Sequence, residues 1–231
     1  MNRQRAIATQ VVAELRRHGH TAVFAGGCVR DEFLGNEPND YDVATSALLE
    51  QVESIFERTL PVGKAFGIIV VLLDGESIEV ATLRADGQYG DGRRPDSVQF
   101  VDSLEEDARR REFTMNAMFL DPFTGEVIDF FGGQQDLRAG IIRAVGNAEE
   151  RIDEDRLRML RAVRFASRYG FEIEAELKQA IHKLAPQLHQ GAKAIAWERI
   201  AKEFKGILTS ANPLVGLDFM MESGLMAEII P

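Results

Sequence analysis

Apolar residues at Ile7, Val11, Val12 and Leu15 recur at helical spacing, and this stripe predicts an amphipathic helix over residues 4–17. TAVFAGG (21–27) is a short apolar run closing on Gly-Gly, which predicts a buried strand and a turn. NDYDVATS (39–46) predicts a second strand. Residues 47–58, with Leu48, Val52 and Ile55, predict a helix. GIIVVLL (67–73), Asp74-Gly75 and SIEVATL (77–83) together predict a β-hairpin with an Asp-Gly turn.

Residues 85–97 are rich in Gly, Asp and Arg and poor in apolar groups, the pattern of a mobile loop. Ser103 and Glu106 are spaced as a capping box for a helix carrying Arg109 to Arg111. EVIDFF (126–131) and IIRAV (141–145) predict short strands, and from about residue 147 the pattern is helical to the end. The expected class is therefore α+β: a head with a mixed or antiparallel sheet over 1–140, then an all-helical neck over 141–231.

Composition changes this picture little. Apolar residues make up 45% and charged residues 28%, which is ordinary for a globular chain. No apolar run approaches the roughly 20 residues that cross a bilayer, and the N-terminus has no secretory pattern. No membrane association is expected, and a cytoplasmic location is. The single Cys28 excludes an intrachain disulfide framework, and the four histidines are too scattered for a His-based metal site. A net charge of −10 argues against a broad nucleic-acid footprint, but arginines concentrate between Arg109 and Arg168. A local basic stripe can still hold phosphates.

Two clusters carry candidate chemistry. Asp40 and Asp42 stand two apart on the predicted strand, so both carboxylates share a face. Two hard anionic oxygens suit Mg2+, which takes its remaining ligands from water and substrate phosphates. Upstream, Gly26-Gly27 lets backbone N–H groups approach a phosphate, and Arg30 adds a cation. Neither a P-loop nor a dinucleotide fingerprint is present. By itself an Asp-x-Asp is often a solvated turn, and Arg30 beside Asp31 an ordinary ion pair.

The second cluster is Asp155, Arg158, Arg161 and Arg164, spaced by three and expected to fan across one side of a helix. Asp155 offers only acceptors and Arg158 only donors. Cytosine and adenine each present an amino donor beside a ring-nitrogen acceptor, so this pair satisfies both. Guanine and uracil have the opposite polarity and would leave groups unpaired.

GGCVRD followed by DYDVAT resembles the nucleotidyltransferase motif of the DNA polymerase β superfamily. More closely, it resembles the class II tRNA nucleotidyltransferases (CCA-adding enzymes) and their bacterial poly(A) polymerase relatives. RREFTMNA (110–117), DFFGGQQDL (129–137), EDRLRMLRAVRF (154–165) and AWERIAKEF (196–204) resemble the family's later motifs, in order. The resemblance implies a polymerase β-like head and helical neck, with NTP bound in the cleft between them. It also implies addition of CMP and AMP from CTP and ATP to the tRNA 3' end without a nucleic-acid template.

Catalytic roles are implied for Asp40 and Asp42, as ligands of two Mg2+ ions. Glu79 is either a third carboxylate there or an exposed hairpin charge. Gly26, Gly27 and Arg30 are implied at the triphosphate, and Arg111, Glu112, Asn116 and Glu154 at the nucleotide. Asp155 and Arg158 are implied as base readers, with Arg161 and Arg164 nearby. Glu112 departs from the family's usual Arg-Arg-Asp and reaches one methylene further, which bears on rejection of dNTPs.

The 85–97 loop resembles that of enzymes adding the terminal A, and PVGKAFGIIVV resembles CCA-adding rather than poly(A) enzymes. An A-adding enzyme, a poly(A) polymerase and a non-catalytic RNA-binding module remain as alternatives. The retained Asp40/Asp42 pair argues against the last. Family members usually continue into further helical domains that grip the tRNA elbow, which are absent from these 231 residues.

Overall fold

The computed structural model describes residues 2–87, 90 and 96–230. The chain divides into two compact units. The first comprises Met1–Asp86, Val98–Arg111 and Met115–Gln134, and the second Gly87–Ser97, Glu112–Thr114 and Gln135–Pro231.

The first unit is built on α1 (Arg3–Arg17), β1 (Ala22–Ala25), α2 (Gly27–Phe33), β2 (Asp42–Thr45), α3 (Leu49–Ile55), β3 (Thr59–Gly63), β4 (Ile68–Leu73) and β5 (Glu76–Thr82). It continues with β6 (Arg84–Asp86), β7 (Val98–Phe100), α4 (Leu104–Arg109), β8 (Met118–Leu120) and β9 (Val127–Asp129), and α5 (Gly133–Ala139) leads out of it. Seven strands form a mixed sheet in the order β3-β4-β5-β2-β1-β8-β9. Only the β2–β5 pairing is parallel.

The apolar stripe of α1 is the one read from spacing: Val11, Val12 and Leu15 are fully buried, and the helix packs on β1, β2 and β5. Burial of each such side chain stabilises the fold by roughly 1.5–3 kcal/mol. The hairpin turn is also as expected. Asp74 and Gly75 both have positive φ, 50° and 84°, as a two-residue turn matching strand twist requires, and Leu73 pairs with Glu76.

Other boundaries differ. β2 begins at Asp42, not Asn39, because β1 ends at Ala25 opposite Asp42 and Gly26, at φ 72°, turns its chain away. Asp40 therefore has no ladder to join and lies in the approach to the strand. The Ser103 side chain accepts from Glu106 N at 3.3 Å, but α4 ends at Arg109, leaving Arg111 beyond it. At the 85–97 loop, β6 and β7 pair as a short ribbon, and residues 88–89 and 91–95 lie outside the described residues.

The second unit holds β10 (Ile141–Ile142), α6 (Ala148–Glu154), α7 (Leu157–Tyr169), β11 (Glu172–Ile173), α8 (Ala175–Leu184), α9 (Trp197–Leu208), α10 (Pro213–Glu222) and α11 (Leu225–Ile229). Its described strands are the parallel pair β10–β11: β10 falls in the expected IIRAV strand, whereas β11 lies in the stretch whose pattern read as helical. α7 is its centre: Met159, Leu160, Ala162 and Val163 are fully buried. The helix stops at Gly170, φ 69°, the left-handed cap that favours glycine. Phe113 meets Phe165 edge-on at 5.9 Å. No described helix is long and apolar enough to cross a membrane.

Candidate active site

Two clusters of the expected site residues form, one in each unit. In the first unit, Val43 pairs with Val80 across β2 and β5, and both are fully buried. One step back along both parallel strands, Asp42 and Glu79 sit side by side on the opposite face. Asp40, just ahead of the strand, is exposed. Desolvation first, then the charges of Glu79 and Asp40, push the Asp42 carboxyl from 3.8 up to about 7, against the opposing pull of Arg111. Glu79 is raised too, by desolvation and then by Asp40. These three carboxylates thus repel one another at one end of the sheet, which is where a divalent cation is most stabilising.

Among the described residues, no group of three or more His, Cys, Asp or Glu side chains is arranged to hold a metal ion by itself. Two carboxylates with water and phosphate completing the shell is the usual protein share for Mg2+, so Asp40 and Asp42 fit a cation of that type. Cys28 sits close by but is buried, and burial pushes its thiol up to about 12, leaving it inert as a nucleophile.

Arg111 is the cation of this cluster. Its Nε and Nη2 donate to Asp107 Oδ2 at 3.1 and 2.8 Å, and Nη1 donates to the Asn116 carbonyl at 3.3 Å. Asp107 is 1% exposed and also accepts from Arg110 at 2.7 Å. Burial alone would raise its carboxyl, but the charges of Arg111 and Arg110 outweigh that and hold it below the usual range. A Cβ at Gly26 would lie 3.0 Å from Arg111 Nη1. Glycine is required there by close approach as well as by its positive φ.

Arg30 does not face outward. It is 5% exposed, binds both oxygens of Asp31 at 2.9 and 3.0 Å, and donates to Asn116 Oδ1 at 2.6 Å. The expectation of an open phosphate grip does not describe this guanidinium, because Asp31 matches its charge inside the protein. Asn116 links Arg30 to Arg111, and Gly27 opens α2 beside Arg30 Nη2.

In the second unit, Asp155 lies in the turn between α6 and α7 rather than on the helix. Its Oδ1 accepts from Leu157 N at 3.1 Å, a local bond that competes with helical continuation. Its Oδ2 accepts from Arg199 at 2.6 Å. Arg158 donates to Glu154 and to the Arg151 carbonyl. Asp155 and Arg158 are thus each held by a separate partner. Arg161 binds Glu112 at 2.5 Å, and Arg164 binds Glu203 on α9. Burial would raise Glu112, yet the charge and hydrogen bond of Arg161, with the charge of Arg158, hold it far below the carboxylate range. Glu112 is thus engaged by Arg161 within the second unit.

Residues 22–143 match the family model described as the poly A polymerase head domain. The chain belongs to the poly A polymerase head-domain family. The head-domain match takes in Asp40, Asp42, Glu79, Arg111 and Glu112, and members of this family generally use a divalent metal. Residues 170–231 match a second model, described as the probable RNA and SrmB-binding site of polymerase A. Asp155, Arg158, Arg161 and Arg164 fall between the two matched segments.

A CCA-adding enzyme of Geobacillus stearothermophilus is 46% identical over 222 residues, covering 96% of this chain and 54% of the relative. The crystal structure of the Bacillus stearothermophilus CCA-adding enzyme in complex with CTP superposes with a TM-score of 0.88 at 43% identity, covering 97% of this chain and 53% of that one. The Thermotoga maritima CCA-adding enzyme complexed with tRNA-CCA gives a TM-score of 0.73 at 25% identity, covering 96% and 51%. The chain spans about half the length of the curated relatives it matches.

Residue-by-residue reading missed Asp107, although its positions three and four before Arg110 and Arg111 are helix neighbours and could have signalled it. It also missed Arg5 and Glu32, which sequence spacing does not join.

Proposed function

We propose that this chain is the nucleotidyltransferase portion of a CCA-adding enzyme, which transfers CMP and AMP from CTP and ATP to the 3' end of tRNA with Mg2+. The observation that carries this reading is the trio Asp40, Asp42 and Glu79, mutually repelling and set beside Arg111, with Asp42 raised to about 7. Family membership, and CCA-adding relatives that include one bound to CTP, support it.

Asp40 and Asp42 would hold the cation, with Glu79 as the neighbouring third carboxylate. When bound, Mg2+ supplies charge neutralisation on the phosphates and acidifies the attacking hydroxyl. The tRNA 3'-oxygen forms a bond to the α-phosphorus, the bond to the bridging α–β oxygen breaks, pyrophosphate leaves, and the hydroxyl proton is released. Arg111 would place positive charge beside the nucleotide, held in line by Asp107 and by the Asn116 carbonyl. Arg30 and Asn116 brace that arginine, and Gly26-Gly27 keep its approach clear of Cβ atoms.

In the second unit, Asp155 and Arg158 would read the amino group and ring nitrogen of C or A. Each Asp155 oxygen accepts one bond within the protein and retains a lone pair for a base. Glu154 orients Arg158, while Arg161, paired with Glu112, and Arg164 complete the basic side.

Membership of the poly A polymerase head-domain family favours one second reading, a poly(A) polymerase using the same carboxylates. Incubation with labelled CTP or labelled ATP, Mg2+ and tRNA lacking its 3' end tests the first. Incorporation of C that disappears in Asp42→Ala is expected; incorporation surviving that change removes the metal-site assignment. A-only products of unlimited length would favour the poly(A) reading.

A further inference from the structure

Neither Asp40 nor Asp42 is held by a hydrogen bond from another side chain among the described residues, yet a cation site needs both at a fixed separation. Their placement must come from the backbone, and the residue between them is Tyr41. That side chain is tightly held. It is 3% exposed, and its ring packs against Phe24 with centroids 5.2 Å apart and planes tilted by 58°. Its hydroxyl donates to Glu32 Oε1 at 2.8 Å.

Glu32, on α2, is in turn gripped by Arg5 of α1, with Nε to Oε1 at 2.6 Å and Nη2 to Oε2 at 3.3 Å. The Arg5 guanidinium also lies over the Phe24 ring, 5.6 Å from its centroid. Phe24 is the β1 residue that pairs with Val43, directly after Asp42. Two helices and the neighbouring strand β1 therefore converge on the one side chain that separates the two carboxylates. The grip is charge-assisted and partly shielded, the setting in which such bonds are strong and directional.

We infer that Arg5, Glu32 and the Tyr41 hydroxyl form a clamp that positions Asp40 and Asp42 for the cation before it arrives. This rests on the metal site of the proposed function. The clamp touches neither substrate nor cation; Tyr41 is a positioning residue acting through its two neighbours. Without it, the stretch between the buried Pro38 and Asp42 loses its polar tie, and Asp40 is held less firmly. The cost falls on metal affinity first, because a preorganised pair loses little freedom on binding and a loose one loses more.

Tyr41→Phe removes the hydroxyl and keeps the buried ring, so the fold is retained. Glu32→Gln keeps the shape and removes the charge that Arg5 grips, giving an independent break in the same chain. The full chain would be titrated with Mn2+ alone, the free ion being followed by electron paramagnetic resonance, with Asp42→Ala as reference. Both clamp variants should bind Mn2+ about tenfold more weakly, the lower end of what loss of a ligand-orienting contact costs. The double variant should be no weaker than the worse single one, because one chain of bonds is being cut twice.

In incorporation assays the variants should need more Mg2+ for half-maximal rate and approach the unmodified rate at saturating Mg2+, with KM for CTP unchanged there. A merely structural role would shift the denaturation midpoint without moving the Mn2+ curve. Mn2+ affinity unchanged in both variants, while Asp42→Ala abolishes it, would overturn the clamp and leave the metal site standing. Undiminished binding in Asp42→Ala would overturn the metal site, and the clamp with it.

Discussion

Asp42→Asn should make the metal-free protein more stable, by an amount that grows with pH. The Asp42 carboxyl is raised from 3.8 to about 7 by desolvation, Glu79 and Asp40. Each tenfold change in acidity corresponds to about 1.4 kcal/mol, so ionising Asp42 in the fold costs up to about 4 kcal/mol more than in the unfolded chain. Partial solvent access reduces that, to roughly 2–4 kcal/mol. The sign follows from proton binding. Below 3.8 both states hold the proton and the penalty is absent. Between 3.8 and about 7 the folded state holds a proton that the unfolded state has lost, so stability falls as pH rises. Above about 7 the penalty is constant. Asparagine removes the charge and hence the penalty.

Urea denaturation of both proteins in chelator, at pH 4, 6 and 8, reads the difference directly. The variant's advantage should be small at pH 4 and reach its plateau by pH 8. Added Mg2+ or Mn2+ should stabilise the unmodified protein and not the variant, because only the former binds the ion. A variant no more stable at pH 8, or a gap that does not narrow toward pH 4, would refute the picture of three unneutralised carboxylates.

Three further outcomes are expected. Glu112→Gln should lower stability by about 1–3 kcal/mol above pH 4.5, since a depressed carboxyl contributes above its usual value and that contribution is lost as pH falls. An acid series of denaturation curves that stay parallel for both proteins would contradict this. Gly216→Ala would place a Cβ 2.0 Å from Ser167 Oγ and 2.8 Å from Ile207 Cγ2. It should cost about 1–3 kcal/mol by overpacking, and an unchanged melting temperature would show that α7 and α10 do not pack this closely. Asp155→Ala should reduce discrimination of C and A against G and U by about tenfold or more. Triphosphate affinity should change far less, and unaltered selection in single-nucleotide incorporation would remove Asp155 as a reader.

Much of this was legible where the controlling forces are local. The α1 stripe and the Asp74-Gly75 turn follow from spacing and from the φ that each residue tolerates, and both stand as read. The carboxylate pair was legible as chemistry, but not its backbone: Asp40 leaves the strand because its neighbour strand ends at Ala25, a fact about pairing and not about residues 39–46. Arg30 and Arg111 were both expected to meet the bound nucleotide, one at the triphosphate and one elsewhere on it. One is buried against Asp31 and tied to Asn116, 86 residues on, and the other stands beside Asp42, a difference set by contacts distant in the chain. Asp155 fell off its helix because a carboxylate can satisfy a nearby N–H more cheaply than a further helical turn can. The Arg5–Glu32–Tyr41 chain joins three elements whose meeting no periodicity announces.

The most direct test of the account offers the chain Mg2+, labelled CTP or ATP, and three tRNAs ending before CCA, after its first C and after CC. Addition of two Cs and one A to the first, one C and one A to the second, and a single A to the third, with arrest each time, is the predicted result. Addition of A alone, a lengthening run of A, or equal use of all four NTPs would contradict it.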